Sequence, residues 1–156
     1  MSGRSELVSL KARLDATFAR IDQIDVDDLE LRSDFARYLC VLVCGYLQRA
    51  VTTMLLHHTA MHASEAVTGY VAWRLTAGFR NPSAENIKQT FGRFNPSWGN
   101  DLEDFIIDEH AAAISSMLAQ RHRIAHGEWS DITYTRVREH YGYIQDVVDR
   151  LADLVI

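Results

Sequence analysis

Hydrophobic residues recur every three or four positions along most of the chain, which is the spacing of one face of an α-helix. The first helix is predicted from Ser5 to about Ile21. After an acidic connector over residues 22–28, a second helix is predicted from about Leu29 to His57, and its broad apolar band indicates the central helix of the fold. A third helix is predicted to end at about Ala77, with Ser64 as its amino-terminal cap.

The second half of the chain continues the helical pattern. A short fourth helix is predicted from Pro82-Ser83 to Phe94, and a turn is predicted over residues 95–100. A long fifth helix is expected from Asp101 to His126, where Gly127 is a good helix stop.

A last helix is predicted to end at about Leu154, with Thr133 or Thr135 as its cap. Patterns typical of strands are essentially absent. With 156 residues, of which 47% are hydrophobic, the chain is long enough for one domain with a sizeable core and too short to suggest two. The predicted fold class is therefore all-α: a single-domain helical bundle over residues 1–156, with four long helices and one or two short ones.

The cysteines and the apolar segments bear on the location of the protein. Cys40 and Cys44 lie four positions apart in an apolar run, so they are predicted to be small buried side chains, which suits a reducing cytoplasm. The amino terminus has no apolar signal core. The longest apolar stretch, Tyr38 to Tyr46, is far shorter than the ~20 residues that cross a bilayer. The expected localisation is cytoplasmic, without a membrane partner.

The segment from Gln120 to Gly127 combines the side chains of a phosphodiester-cleaving site. Arg121 can neutralise a phosphate with a planar fork of donors, and His122 and His126 can move protons near neutral pH. Together they indicate metal-independent RNA cleavage, in which a 2′-hydroxyl attacks its own phosphate. The net charge of −5 excludes a general polyanion binder, so RNA would have to be attracted locally.

Helix geometry constrains how these side chains meet. On one continuous fifth helix, Arg121 lies near the middle of an apolar face that also contains Glu103 and His110. A charge there is costly unless it is paired or solvated by a cleft. Arg121 and His126 are about 140° apart on an ideal helix, so a single regular helix hardly directs both at one phosphate. Either the helix loosens near Gly127, or a twofold dimer combines the residues of two chains, which we favour.

A purely structural interpretation of the same residues stays open. In it, Arg121 pairs with Glu103 or another acid at the edge of the core, and the histidines are solvated near the helix end. The carbonyl end of a helix favours a protonated histidine, so His126 would be a plain helix stabiliser.

The string Arg-x-x-Ile-Ala-His-Gly at the end of a long helix resembles the R-x(4–6)-H signature of the HEPN superfamily, with four residues between Arg121 and His126. The similarity extends over most of the chain, from about Asp34 to Tyr143. Three further segments look like the RiboL-PSP-HEPN branch: Asp34 to Leu39, Gly45 to Gln48 and Phe94 to Trp98.

The resemblance implies a helical bundle that dimerises through its motif helices and acts as a metal-independent endoribonuclease, without a cofactor, in toxin–antitoxin or other defence systems. Arg121 would hold and polarise the scissile phosphate, His126 would be the main acid–base group, and His122 would assist. The expected partners are RNA, a second copy of the chain, and an antitoxin or defence-system protein. The alternative class is a non-catalytic helical module that binds nucleotide, RNA or a partner protein.

Two departures from the family pattern are visible. Gln48 stands where we expect an acidic residue in many relatives, and Glu128 stands where one toxin branch carries a tyrosine that partner enzymes modify with nucleotide. Regulation by modification of that tyrosine is therefore not predicted.

Other polar residues add candidates for binding. Arg123 and Tyr134 are candidate substrate-binding residues, since a tyrosine on the last helix can stack on a base, with core packing as its alternative role. His58 and His62 share one helix face, but no second ligand pair follows at zinc-like spacing, so no metal site is predicted.

Overall fold

The protein is described by a computed structural model over residues 2–24 and 27–156, and within these ranges it contains seven helices and no strand. The all-α fold class is confirmed. Four helices are long and three are short, which is more short helices than predicted. Residues 25 and 26 of the predicted acidic connector lie outside the described residues. The helices are α1 (Gly3–Asp22), α2 (Leu29–His62), α3 (Glu65–Gly78), α4 (Ala84–Phe94), α5 (Pro96–Phe105), α6 (Asp108–Ala125) and α7 (Tyr134–Val155).

Side-chain caps fix where several helices begin, because they accept hydrogen bonds from backbone N–H groups that have no acceptor within the helix. Ser64 accepts from Val67 at the start of α3, as predicted. Thr133 accepts from Arg136 at the start of α7, which decides between the two predicted threonines. Ser83 is the cap of α4 rather than part of the helix.

The central helix α2 packs against α1, α3, α6 and α7. Twelve of its 34 residues are buried, so it forms the middle of the hydrophobic core. It extends beyond the predicted end at His57 to His62, and Thr59 in this added turn is still buried. Cys40 and Cys44 are buried free thiols, as predicted.

By length and composition alone, α2 is apolar enough to cross a membrane, since its most apolar 18-residue window has a mean hydropathy of 1.6. However, 56% of that window is buried inside the protein. A helix that is apolar around most of its circumference is also what the core of a bundle requires, because neighbouring helices cover it on several sides.

The turn predicted over residues 95–100 is wrong, because a further helix begins there. Asn95 ends α4 and caps α5, where its side chain accepts from the N–H of Ser97. Pro96 occupies the first turn, in which a missing N–H costs nothing. Asparagine and proline are frequent both in turns and at helix starts, so their presence alone did not distinguish the two.

The single fifth helix predicted from Asp101 to His126 is also wrong, because the chain divides it into α5 and α6. Ile106 and Ile107 leave the helical conformation, and Asp108 has a positive φ of 46°. The break buries Ile106 completely and leaves Ile107 47% exposed. No glycine or proline marks this break, so it is set by tertiary burial of one isoleucine rather than by a local breaker.

The break separates Glu103 from the helix that carries Arg121. Glu103 is exposed, and its carboxylate lies 3.4 Å from the ammonium group of Lys88 on α4. His110, which was also predicted on the core face, is half-buried and stacks on Phe105. The pairing of Arg121 with Glu103 that the sequence left open is therefore not formed.

α4 and α5 approach each other closely at two glycines. A Cβ atom on Gly99 would lie 2.8 Å from the Cα atom of Gly92, which is closer than real side chains pack. The contact is backbone against backbone, so it cannot be relieved by rotating a side chain. Gly99 is therefore required for the observed packing of these two helices.

We predict that Gly99→Ala lowers the free energy of unfolding by about 1–3 kcal/mol, because α4 and α5 must move apart. The matched control is Gly142→Ala in α7, where no atom lies within 4 Å of the new methyl group. It should raise the free energy of unfolding by up to about 1 kcal/mol, since alanine favours the helix. Urea unfolding followed by circular dichroism measures both, and equal effects would contradict the close-contact explanation.

Candidate active site

The motif segment ends α6 in a hydrogen-bonded turn of the Schellman type. Gly127 has a φ of 69°, in the left-handed region that favours glycine. Its N–H donates to the carbonyl of Ile124 at 3.2 Å, and the N–H of Glu128 donates to the carbonyl of Arg123 at 2.8 Å. Gly127 thus stops the helix as predicted, and backbone N–H groups satisfy the carbonyls of His122, Arg123 and Ile124.

His122 and His126 lie side by side at this end of α6. Their ring centroids are 4.4 Å apart with an interplanar angle of 57°, and both residues are exposed. The N–H of His126 donates to the carbonyl of His122 at 3.1 Å, so the helical spacing continues as far as the motif histidine. Two neighbouring imidazoles can supply one group that accepts a proton and one that donates a proton.

Arg121 lies in a different environment from the histidines. It is half-buried and lines a cleft with a volume of about 450 Å³ between α2, α3, the α3–α4 connection and α6. None of the described residues that line this cleft is acidic, and the ion pairs described over residues 2–24 and 27–156 do not include Arg121. We call it the arginine cleft, and it is lined by Gln48, Arg49, Thr52, Thr53, Leu75, Thr76, Arg80, Asn81 and Arg121.

Neither motif histidine lines the arginine cleft. α6 is a regular helix to Ala125, so the loosening that the sequence left open does not occur before the motif histidine. The structure therefore brings His122 and His126 together, while Arg121 lines a separate opening.

Arg121 also acts on the two thiols of α2. The hydrogen bond with Cys40 and burial raise the pKa of the Cys44 thiol, and the charge of Arg121 acts in the opposite direction. The Cys40 thiol donates to the carbonyl of Met117 at 3.5 Å, one helical turn before Arg121. This hydrogen bond joins α2 to α6 inside the core, and Arg121 follows it at the edge of the core, where its residue is half-buried.

Gln48 links the central helix to the α3–α4 connection. Its side-chain oxygen accepts a hydrogen bond from the backbone N–H of Asn81 at 3.1 Å. Asn81 has a positive φ of 48°, which asparagine tolerates better than most residues. A glutamate at position 48 would offer an oxygen that accepts the same hydrogen bond. Glutamine therefore keeps this wall of the cleft and lacks only the negative charge of the expected acidic residue.

The two candidate substrate-binding residues do not line the arginine cleft. Arg123 is exposed on α6. The hydroxyl of Tyr134 donates to the carboxylate of Asp22 and accepts from Arg138 at 2.7 Å. Burial and the hydrogen bond with Asp22 raise the pKa of Tyr134. The structure thus engages Tyr134 in packing α7 against α1, which favours the packing alternative for this tyrosine.

Sequence reasoning missed Arg49, Arg80 and Trp129. Arg49 follows Gln48 inside the apolar band of α2, and this polar interruption was the signal that could have revealed it. Arg80 carries no such signal, because only the path of the α3–α4 connection brings it to the cleft. Trp129 is 78% exposed immediately after the turn that ends α6.

The histidines near the end of α2 have packing roles. His58 and His62 have ring centroids 4.3 Å apart, and the ring of Trp98 meets His58 edge-on at 5.0 Å. Burial and the neighbouring charge of His62 lower the pKa of His58. Among the residues that the structure describes, no group of three or more histidine, cysteine, aspartate or glutamate side chains could hold a metal ion.

An all-helical bundle with an arginine–histidine motif at the end of a long helix defines a module of the HEPN superfamily, a class of nuclease- and RNA-related domains. The RiboL-PSP-HEPN family model matches residues 4–156, and the chain belongs to this family. The resemblance inferred from Asp34 to Tyr143 is thereby confirmed over nearly the whole chain. No match to the chain is found among curated proteins or solved structures.

We predict that Arg121→Gln leaves the free energy of unfolding within about 0.5 kcal/mol of wild type, or raises it, because the substitution removes no ion pair with a described carboxylate. Arg150→Gln is the matched control, since the Arg150 guanidinium donates to both carboxylate oxygens of Asp101, one of them at 2.8 Å. That variant should lower the free energy of unfolding. Urea denaturation measures both, and an equal decrease in the two variants would make Arg121 a structural ion-pair partner.

Proposed function

We propose that the protein is a metal-independent endoribonuclease whose active site is completed by a homodimer. The observation that carries this proposal is the environment of Arg121. Its side chain is half-buried in a cleft, and none of the described residues that line this cleft is acidic. Such a charge lowers stability unless it has a partner, so its place in the cleft is best explained by an anionic ligand. The exposed pair of His122 and His126 on the same helix supplies groups for proton transfer.

In the proposed reaction, the 2′-hydroxyl of a ribose attacks the adjacent phosphorus. One imidazole takes the hydroxyl proton as the new oxygen–phosphorus bond forms, and another gives a proton to the 5′-oxygen as its bond to phosphorus breaks. His126 is the main acid–base group and His122 assists it. Arg121 holds the phosphate and neutralises the charge that develops on its oxygens. The products are a 2′,3′-cyclic phosphate and a 5′-hydroxyl, and later attack of a water molecule on the cyclic phosphate would give a 3′-phosphate.

We propose the dimer because Arg121 and the motif histidines open onto different parts of the surface. Arg121 lines the arginine cleft, and the histidines lie outside it. In a twofold dimer one surface segment meets the same segment of the other chain. A twofold interface in which the histidine end of α6 docks against the arginine cleft of the other chain would bring the arginine of one subunit beside the histidines of its partner, with no change in the helix.

The biological role that we propose is a cytoplasmic toxin or defence-system RNase with an antitoxin or another defence protein as partner. Membership of the RiboL-PSP-HEPN family supports this role. The acidic net charge of −5 is compatible with it, because RNA then binds at a local basic site rather than over the whole surface.

A non-catalytic module that binds nucleotide, RNA or a partner protein is the second candidate function. The observation that favours it is Gln48, which supplies no negative charge to orient Arg121 or the histidines and instead bonds to the backbone of Asn81. Expression in cells separates the two functions, because growth arrest by wild type alone, and not by the motif variants, favours the enzyme.

We predict that the purified protein cleaves RNA in the presence of EDTA, because protein side chains supply the acid, the base and the positive charge. His126→Ala should reduce the rate by about 10²–10⁴-fold, the usual contribution of positioned proton transfer. Arg121→Ala should also abolish most activity. The matched controls are Arg13→Ala and His62→Ala, both exposed and outside the motif. Inhibition by EDTA, or full activity of both motif variants, would contradict the mechanism.

A mixture of the two inactive variants tests the shared site. When Arg121→Ala and His126→Ala chains form mixed dimers, one chain keeps its arginine and the other keeps its histidines. We therefore expect the mixture to recover a measurable fraction of wild-type activity, while each variant alone stays inactive. The mixed dimers are prepared by co-refolding or subunit exchange, and size-exclusion chromatography then isolates the dimer fraction. Mixed dimers without activity would place the whole site within one chain.

A further inference from the structure

Three arginines from different elements converge on the arginine cleft. Arg49 comes from α2, Arg80 from the α3–α4 connection and Arg121 from α6. None of the three side chains takes part in an ion pair or hydrogen bond described for residues 2–24 and 27–156, and the described lining contains no acid. In a chain with a net charge of −5, this concentration of unpaired positive charge marks an anion-binding surface.

The position of Arg80 is fixed by its neighbours. Phe79 and Pro82, on either side of it, are buried, so the connection is anchored to the core at both ends. Between them, the backbone of Asn81 is bound to the side chain of Gln48. Arg80 itself is exposed. The connection therefore presents the guanidinium from a held backbone, which reduces the entropy cost of binding a ligand.

The chemistry of the lining indicates which part of a nucleic acid it contacts. The three guanidinium groups match phosphate oxygens, to which arginine donates two hydrogen bonds at once. No aromatic side chain is found among the described lining residues, so these residues offer no aromatic surface on which a base could stack. Leu75 is its one apolar lining residue in the described part of the chain, which is too little for docking a peptide through hydrophobic side chains.

We infer that Arg49 and Arg80 form a second phosphate subsite, which binds the backbone of a single-stranded RNA next to the phosphate held by Arg121. This inference rests on the proposed function for the role of Arg121. It adds the path of the RNA, which passes over α2 and the α3–α4 connection. The cleft volume of about 450 Å³ is within the range of ligand sites and exceeds what one phosphate needs. Phosphate contacts position a strand without reading its sequence, so the subsite contributes affinity and register rather than base selectivity.

The test measures binding without cleavage. A fluorescent 2′-O-methyl oligoribonucleotide cannot undergo attack by the 2′-oxygen, so its affinity for the full chain is obtained by fluorescence anisotropy. The test variant is Arg49→Gln combined with Arg80→Gln. The matched control is Arg74→Gln combined with Arg93→Gln, which removes the same charge from the neighbouring groove between α3 and α4.

We expect the Arg49/Arg80 variant to bind at least about tenfold more weakly than the Arg74/Arg93 control. The slope of log affinity against log salt concentration should also become shallower by about 0.7 for each phosphate that the variant no longer neutralises. Thermal unfolding checks that both variants are folded, and Arg80→Gln alone replaces the double variant if that variant unfolds. Failure of wild type to bind, or equal weakening in the test and control variants, would overturn the inference.

The result is independent of catalysis. If the chain binds the oligonucleotide through Arg49 and Arg80 but wild type does not cleave RNA, the subsite stands and the proposed endoribonuclease fails. If wild type cleaves RNA and the Arg49/Arg80 variant keeps its KM and its affinity, the enzyme stands and the subsite is wrong.

Discussion

The burial of α2 on several sides is the constraint on which the rest of the structure depends. Because α1, α3, α6 and α7 all pack against this helix, its middle part has few positions that no neighbour covers. Gln48 and Arg49 occupy such positions, and the cleft opens beside them. The same packing that makes the core therefore determines where positive charge can collect, opposite the half-buried Arg121 of α6.

The end of α6 combines strong local order with a poorly compensated charge. The hydrogen-bonded turn at Gly127 satisfies the helix end, so neither His122 nor His126 is required to cap it. The charge of Arg121 lowers the pKa of the buried thiols of Cys40 and Cys44, against the effect of burial, and its side chain lines the cleft together with Arg49 and Arg80. Neither environment pairs the guanidinium with a described acid, which is expected of a residue that serves binding rather than folding.

The helices and the motif could be predicted from the sequence, because apolar spacing, capping residues and the arginine–histidine string are local signals. Ser64, Thr133 and Gly127 act as their residue types suggested. The division into α5 and α6 was missed. The helix ends where Ile106 becomes buried in the core, and no residue next to it in the sequence indicates this break. The cleft was missed for the same reason, because Arg80 reaches it only through the folded path of the chain.

The spatial separation of Arg121 from the histidines affects the protein concentration that activity requires. In the proposed dimer, an isolated subunit holds only part of the reacting groups, so at dilutions below the dissociation constant of the dimer the rate grows with the square of the protein concentration. The cellular concentration of the chain, relative to the dissociation constant of the dimer, would then determine whether the RNase is active. Small amounts would be harmless to cellular transcripts, and a modest rise in synthesis would produce a steep response.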